Sequence, residues 1–213
     1  MSDPWTFGWT QLLAIIGLLM TAGISFAGLR TFGEWRRESI EDRRIEAAID
    51  ALSIAYQSKY VFENIRGPMI FGYEYEEMPV SPGESESRRG RRGGYYAVLK
   101  RIERNREFFE SVWKIQPRVM ALFGREVENI FGLLHEARRN IEVSAGLLFA
   151  HFDEEAEGRE NEDTKRLRRR QRQDISWAEE LDETESKVPA KLLSFRERME
   201  ALCRPVVERG YKT

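Results

Sequence analysis

Side chains suited to catalysis or metal ligation are scarce in this chain. Its 213 residues include one cysteine, Cys203, and two histidines, His135 and His151. A lone thiol admits no internal disulfide framework and no thiolate zinc site. It becomes a nucleophile only beside a base, and Cys203 falls on the apolar side of a closing helical pattern. A ferritin-like di-iron centre needs two Glu-x-x-His pairs on helices. The residues three before the histidines are Gly132 and Leu148, so that spacing fails. Glu154 and Glu155 follow His151 and could share a face with it. One imidazole beside acids at a helix end reads as solvated surface rather than a ligand set. No phosphate loop ending in Lys-Ser/Thr and no G-x-S-x-G elbow occurs. The expectation is therefore no catalytic residue, no cofactor and no metal site.

Two basic clusters hold what chemistry remains. Arg88, Arg89, Arg91 and Arg92 alternate with Gly90, Gly93 and Gly94 and run into Tyr95 and Tyr96. Arginines contact phosphates and neighbouring aromatics stack on bases, so the pattern resembles a nucleic-acid segment. The second cluster is Lys165, Arg166, Arg168, Arg169, Arg170 and Arg172. Beside a bilayer either cluster could meet anionic headgroups, at about 1 kcal/mol per residue. Solvated, ion-paired faces are the simpler reading, because acidic residues flank both. Nucleic acid is an alternative and not the favoured one.

The chain is 41% hydrophobic and 33% charged with a net charge of −2, so neither a disordered tail nor a basic nucleic-acid balance describes the whole. The charges are unevenly spread. None lies between Pro4 and Leu29, and residues 30–213 contain 69 of the 70. The run Leu12–Leu29, at roughly 1.5 Å per helical residue, nearly spans a hydrocarbon layer of about 30 Å, and Trp5–Gln11 extend it. Trp5, Trp9 and Trp35 lie at its edges, where indoles favour headgroups. The pattern predicts a transmembrane helix. Cleavage as a signal peptide after Ala27 is the competing reading, opposed by a first segment with no Lys or Arg. Arg30, Arg36, Arg37, Arg43 and Arg44 follow the span, so the positive-inside rule puts the N-terminus outside and the bulk of the chain in the cytoplasm. A single free cysteine agrees with that compartment. Gly17, Thr21 and Ser25 share one helix face and form a small-residue stripe through which two spans could associate.

The remainder reads as helices. Ile45, Ala48, Ile49, Leu52, Ala55, Tyr56 and Phe62 make a helical stripe that Gly67-Pro68 ends. Gly, Pro, Ser and Arg dominate 67–94, which reads as a connector, mobile in its second half. A second helix is predicted over Tyr95–Gln116 and a third from Pro117 to about Glu155, with proline at its first position. Residues 156–164 read as a polar turn. Residues 165–183 could begin as helix, and Lys191–Val207 closes the chain. The predicted fold is all-α: one N-terminal transmembrane helix, then an antiparallel bundle of about four helices. The segments are 1–32 (tail and span), 33–66 (first cytoplasmic helix), 67–94 (connector) and 95–213 (remaining bundle).

An arginine-rich exit at Trp35-Arg36-Arg37, a long helix ending Asn64-Ile65-Arg66-Gly67-Pro68, and a closing Met199-Glu200-Ala201-Leu202-Cys203-Arg204-Pro205 follow the span. Together they resemble a family of small uncharacterised bacterial single-pass membrane proteins with a cytoplasmic helical domain. Members usually carry Asn where this chain has Gly67. The resemblance implies a bacterial inner-membrane location and transfers no catalytic residue. The expected function is non-enzymatic: a membrane-anchored bundle that binds a protein partner or a second copy of itself. The alternatives are a membrane-tethered binder of nucleic acid or anionic lipid through the arginine clusters, and a divergent enzyme or effector.

Overall fold

The computed structural model describes residues 8–152, 161–180 and 185–210. It is all-helical, with six α-helices and no strand among the described residues. They are α1 (Trp9–Ile65), α2 (Glu86–Arg104), α3 (Arg106–Phe123), α4 (Glu126–Ala150), α5 (Glu162–Ile175) and α6 (Val188–Gly210). Single turns of 3-10 helix occur at Gly72–Glu74 and Trp177–Glu180. The chain divides into two units, Met1–Arg44 and Ile45–Thr213, with the division inside α1.

In the first unit α1 is one uninterrupted helix whose large apolar side chains, from Leu12 to Leu29, are exposed. It is the one helix among the described residues long and apolar enough to cross a membrane. Thr21 Oγ1 donates to the Gly17 carbonyl (2.8 Å) and Thr31 Oγ1 to that of Ala27 (3.0 Å). These back-bonds give the two hydroxyls a partner within the helix itself.

The second unit starts in the remainder of α1, where Ala47, Ala48, Ala51, Ile54, Ala55, Ser58, Phe62 and Ile65 are buried at three- and four-residue spacing. This stripe is rotated from the predicted one: Ile49 and Tyr56 are exposed. Alanines let the helix approach its neighbours closely, and that packing outweighs the hydrophobicity of a single Ile or Tyr. Helix α4 lies at the centre and packs against α2, α3, α5 and α6. Its buried face runs from Val127 through Phe131, Leu134 and Ile141 to Leu148. Outside the core, Arg118 ties α3 to α1 by donating to Glu46 (2.7 Å) and Asp50 (3.1 Å).

Three expectations are corrected. Helix α2 begins at Glu86, not Tyr95, so the arginine–glycine stretch is helical rather than connector. Ser85 caps it, its hydroxyl accepting from the Arg88 N–H at 3.3 Å, and Glu86 favours the positive end of the helix dipole. The break between the second and third helices falls at Asn105, and Pro117 lies inside α3. Phe109, Val112 and Val119 remain buried in register across the proline, so tertiary packing holds one helix through it. The long predicted third helix is absent: α3 stops at Gly124, whose φ of +96° is left-handed, and α4 starts at Glu126. Helix α5 falls where residues 165–183 could begin as helix, and the second unit carries α2–α6 besides the end of α1 where about four helices were expected. Of the predicted polar turn, residues 156–160 lie outside the described residues, as do Glu154 and Glu155; Asn161 caps α5 by accepting from the Thr164 N–H at 2.8 Å.

The two glycines before Tyr95 have a packing role. A Cβ on Gly93 would stand 2.6–2.9 Å from ring atoms of Tyr75, and one on Gly94 would stand 3.1 Å from Ile70 Cδ1. The 70–78 loop thus lies on a bare strip of α2. Gly93→Val is expected to destabilise by about 1–3 kcal/mol by overpacking. It should also raise cleavage at Glu76 and Glu77 by a glutamate-specific protease. An unchanged urea midpoint and cleavage rate would refute this.

Candidate functional site

A large concavity lies in the second unit, among the end of α1, the 67–74 loop, α2 and the start of α6, with a volume of about 1120 Å³. Its lining includes Ser58 and Phe62 on α1 with Arg66 just past its end, and on α6 Pro189, Leu192, Leu193 and Arg196. These positions recur at three and four residues, so each helix contributes one face. Met69, Tyr73 and Trp177 add large side chains that are 69%, 62% and 49% exposed.

Beneath it lies an ion pair. Arg101 donates to both oxygens of Glu74, each at 2.7 Å, and to the carbonyls of Asn64, Gly67 (2.6 Å) and Met69. The fork of a guanidinium suits this bidentate grip. It holds the Glu74 carboxyl below its usual range against the opposing effect of burial, with help from the Phe71 N–H. Arg104 stands 3.7 Å from Glu74 and over the ring of Tyr73 at 5.6 Å, which itself stacks on Phe71.

A second polar knot sits behind. Arg66 donates to the carbonyls of Gln173 (2.6 Å) and Asp174 (2.8 Å). The buried Asp174 carboxylate accepts from Ser144 (2.8 Å) and Ser186 (2.6 Å). Two hydroxyls bond the acid. The arrangement fastens the ends of α1, α4, α5 and α6 rather than activating a nucleophile. The only sequence signal for either knot was an acid embedded in a basic or apolar stretch.

The residues singled out from sequence are dispersed. Gly17, Thr21 and Ser25 lie exposed on α1, and a Cβ on Gly17 would meet nothing. Arg92 grips Glu84 with two 2.7 Å bonds, donates to the Pro79 carbonyl and lies over Phe149 at 5.3 Å. Arg88 lies over Phe152 and Arg89 donates to the Glu76 carbonyl, while Arg91 is exposed. Tyr95 and Tyr96 pack edgewise or tilted on Phe152 and Phe149. Most of this set therefore holds the chain together. In the other cluster Arg168 is buried and donates to the His151 carbonyl, Lys165 pairs with Glu162 and Arg166 with Glu185. Arg169 is exposed, and Arg170 and Arg172 are half-buried.

His135 stacks on Trp113 (4.3 Å, 19°), and its Nε2 is 2.8 Å from Gln116 Oε1. Burial, then Arg138 and Arg139, hold its pKa below the ordinary value. Cys203 is fully buried 3.7 Å from Met199 Sδ, and burial pushes its thiol up to about 11. A neutral core thiol is unreactive. No group of three or more His, Cys, Asp or Glu is placed to hold a metal among the described residues.

Fold and groove define a class: an all-helical chain with one helix able to cross a membrane by length and composition, and a helical unit bearing an open groove. No protein-family model, curated protein or solved structure matches it.

Proposed function

We propose that this is a non-enzymatic single-pass membrane protein whose helical unit binds another protein. The apolar part of α1 is its anchor in a bacterial inner membrane, with the N-terminus outside and the helical unit in the cytoplasm. The uncharged run to Leu29, the arginines after it and the resemblance to small bacterial membrane proteins support that placement. The docking reading is carried by the open groove with Met69, Trp177 and Leu193 exposed around it. Exposed apolar surface gathered in one concavity marks an interaction site more often than scattered residues do. Self-association through the Gly17, Thr21 and Ser25 face is the homo-oligomeric form of the same reading. The nucleic-acid alternative has less support, since Arg88, Arg92, Tyr95 and Tyr96 have partners within the chain.

Anchoring has a direct test. Wild type is expected to stay in the membrane pellet after carbonate washing. Leu18→Arg with Ile24→Arg, at about 2.5–3.5 kcal/mol per arginine near the centre of a span, is expected to release the chain. Release of wild type would overturn the anchor. Docking is tested by crosslinked pull-down of the tagged full chain from membranes, with and without nuclease. A discrete protein recovered in both arms is the expected result. Recovery that collapses with nuclease favours the arginine clusters, and a partnerless monomer ends the docking reading.

A further inference from the structure

We infer that the groove between the end of α1 and the start of α6 receives an acidic amphipathic helix of the partner protein. This rests on the docking reading above and assigns it a place and a chemistry. The shape comes first. Two helix faces border one trench, at positions 58 and 62, with 66 just past the helix end, and at 189, 192, 193 and 196. The stretch from Ser58 to Arg66, the end of α1 and the residue after it, is about 12 Å long at helical rise, close to two turns of a helix laid beside it. A helix seated there presents side chains at i, i+3 or i+4, and i+7 to both faces. An extended peptide would lack a partner for its backbone, because the described residues contain no strand edge to extend. The volume of about 1120 Å³ is above that of most small-molecule pockets, roughly 300–1000 Å³.

Charge selects the occupant. Among the described residues Lys59, Arg66, Arg101, Arg104 and Arg196 line the groove against Glu63 and Glu74. Glu74 is spent on Arg101, and Glu63 stands 3.9 Å from Lys59. Arg66 and Arg101 are committed to backbone carbonyls. Arg104 keeps half its side chain exposed, and half-buried Arg196 has no hydrogen-bond or ion-pair partner among the described residues. Among the described residues the uncompensated charge facing an occupant is positive, and the apolar side chains of Leu192, Leu193 and Met69 line the same groove. A helix with a leucine-like stripe flanked by Asp or Glu complements both. A polyphosphate would gain from the arginines but would leave the apolar lining uncovered.

The test uses the full chain in lipid nanodiscs and a display library of random peptides about 20 residues long, enough for several helical turns. The selected peptides are expected to be net acidic with apolar residues at helical spacing. The best synthetic peptide, followed by fluorescence anisotropy, should bind more weakly as salt rises. Arg196→Glu or Arg104→Glu should weaken it about tenfold, the scale of one lost charge contact of about 1.4 kcal/mol. Exchanging two peptide acids for Lys should restore binding to the Arg196→Glu chain, and Arg166→Glu should have no effect. Circular dichroism keeps loss of fold apart from loss of binding, and Leu193→Asp tests the apolar lining independently. The inference is overturned by selection of basic or proline-rich peptides, by failure to select any, or by insensitivity to Arg196→Glu. It is equally overturned if a single-stranded oligonucleotide or anionic phospholipid vesicles bind through Arg196 in place of peptide. A partner from the membrane pull-down that still binds the Arg196→Glu chain sinks the groove assignment while leaving the docking reading intact.

Discussion

Arg101→Ala is expected to lower the unfolding free energy by about 3–5 kcal/mol, because it strands a buried carboxylate and three carbonyls at once. The Arg101 and Glu74 side chains are 7% and 4% exposed, so water does not replace what the guanidinium supplied. Glu74→Gln should cost less, about 1.5–3 kcal/mol, since the amide still occupies the site and Arg101 keeps its carbonyl partners. The pH dependence separates charge from shape. Glu74 has a folded-state pKa below its ordinary 4.5, so its contribution is fully present above that value. It is lost as the pH falls below 4.5 and through the folded pKa. The stability gap between wild type and Glu74→Gln should therefore be constant near neutrality and narrow in acid. Urea titrations of the full chain at several pH values read it. A cost for Arg101→Ala under about 1 kcal/mol would mean that solvent enters the pair and that the groove floor is not fixed by it.

The long apolar helix was legible because composition alone marks it: no charge appears from Pro4 to Leu29, and the charges begin at Arg30. The central and closing helices carry apolar residues at helical spacing: Ile130, Leu134, Ile141 and Leu148 in α4 and Phe195, Met199 and Val206 in α6 are buried, whereas Leu193 is exposed. Local propensity misled where tertiary packing decided. Gly90, Gly93 and Gly94 read as a mobile connector, yet two of them are buried in α2, under Tyr75 and Ile70. Pro117 read as a helix start, yet the apolar register runs through it, and the break comes at Asn105.

The groove was not legible at all. Its lining comes from residues 58–74, 101–104 and 177–196, and no one-dimensional window joins them. Arg101 and Glu74 lie 27 positions apart, and Arg66 meets Asp174 across 108. The basic clusters drew notice because their charge is dense in sequence. The charges that matter to the groove, Arg104 and Arg196, are single residues in ordinary helical contexts. Density along the chain reports solvation, whereas convergence in space makes a site.

Adjacent positions on α4 should respond in opposite directions to the same substitution. Phe131 is fully buried, 5.8 Å from the ring of Phe195, on the face that joins α4 to the core. Phe131→Ala is expected to cost about 3–5 kcal/mol, the lost transfer of the ring plus the cavity that close-packed neighbours cannot fully collapse. Gly132, the next residue, faces open space, and a Cβ there would meet nothing within 4 Å. Gly132→Ala is expected to stabilise by about 0.5–1 kcal/mol through lower backbone entropy in the unfolded chain and better helix propensity. The difference between the two, about 3.5–6 kcal/mol, follows from a rotation of roughly 100° around one helix. Urea midpoints of the two single variants measure it. A neutral Phe131→Ala would mean that α4 is not the helix around which the unit is built. A destabilising Gly132→Ala would mean that its open face is occupied in the intact protein, and crosslinking from that position would then show by what.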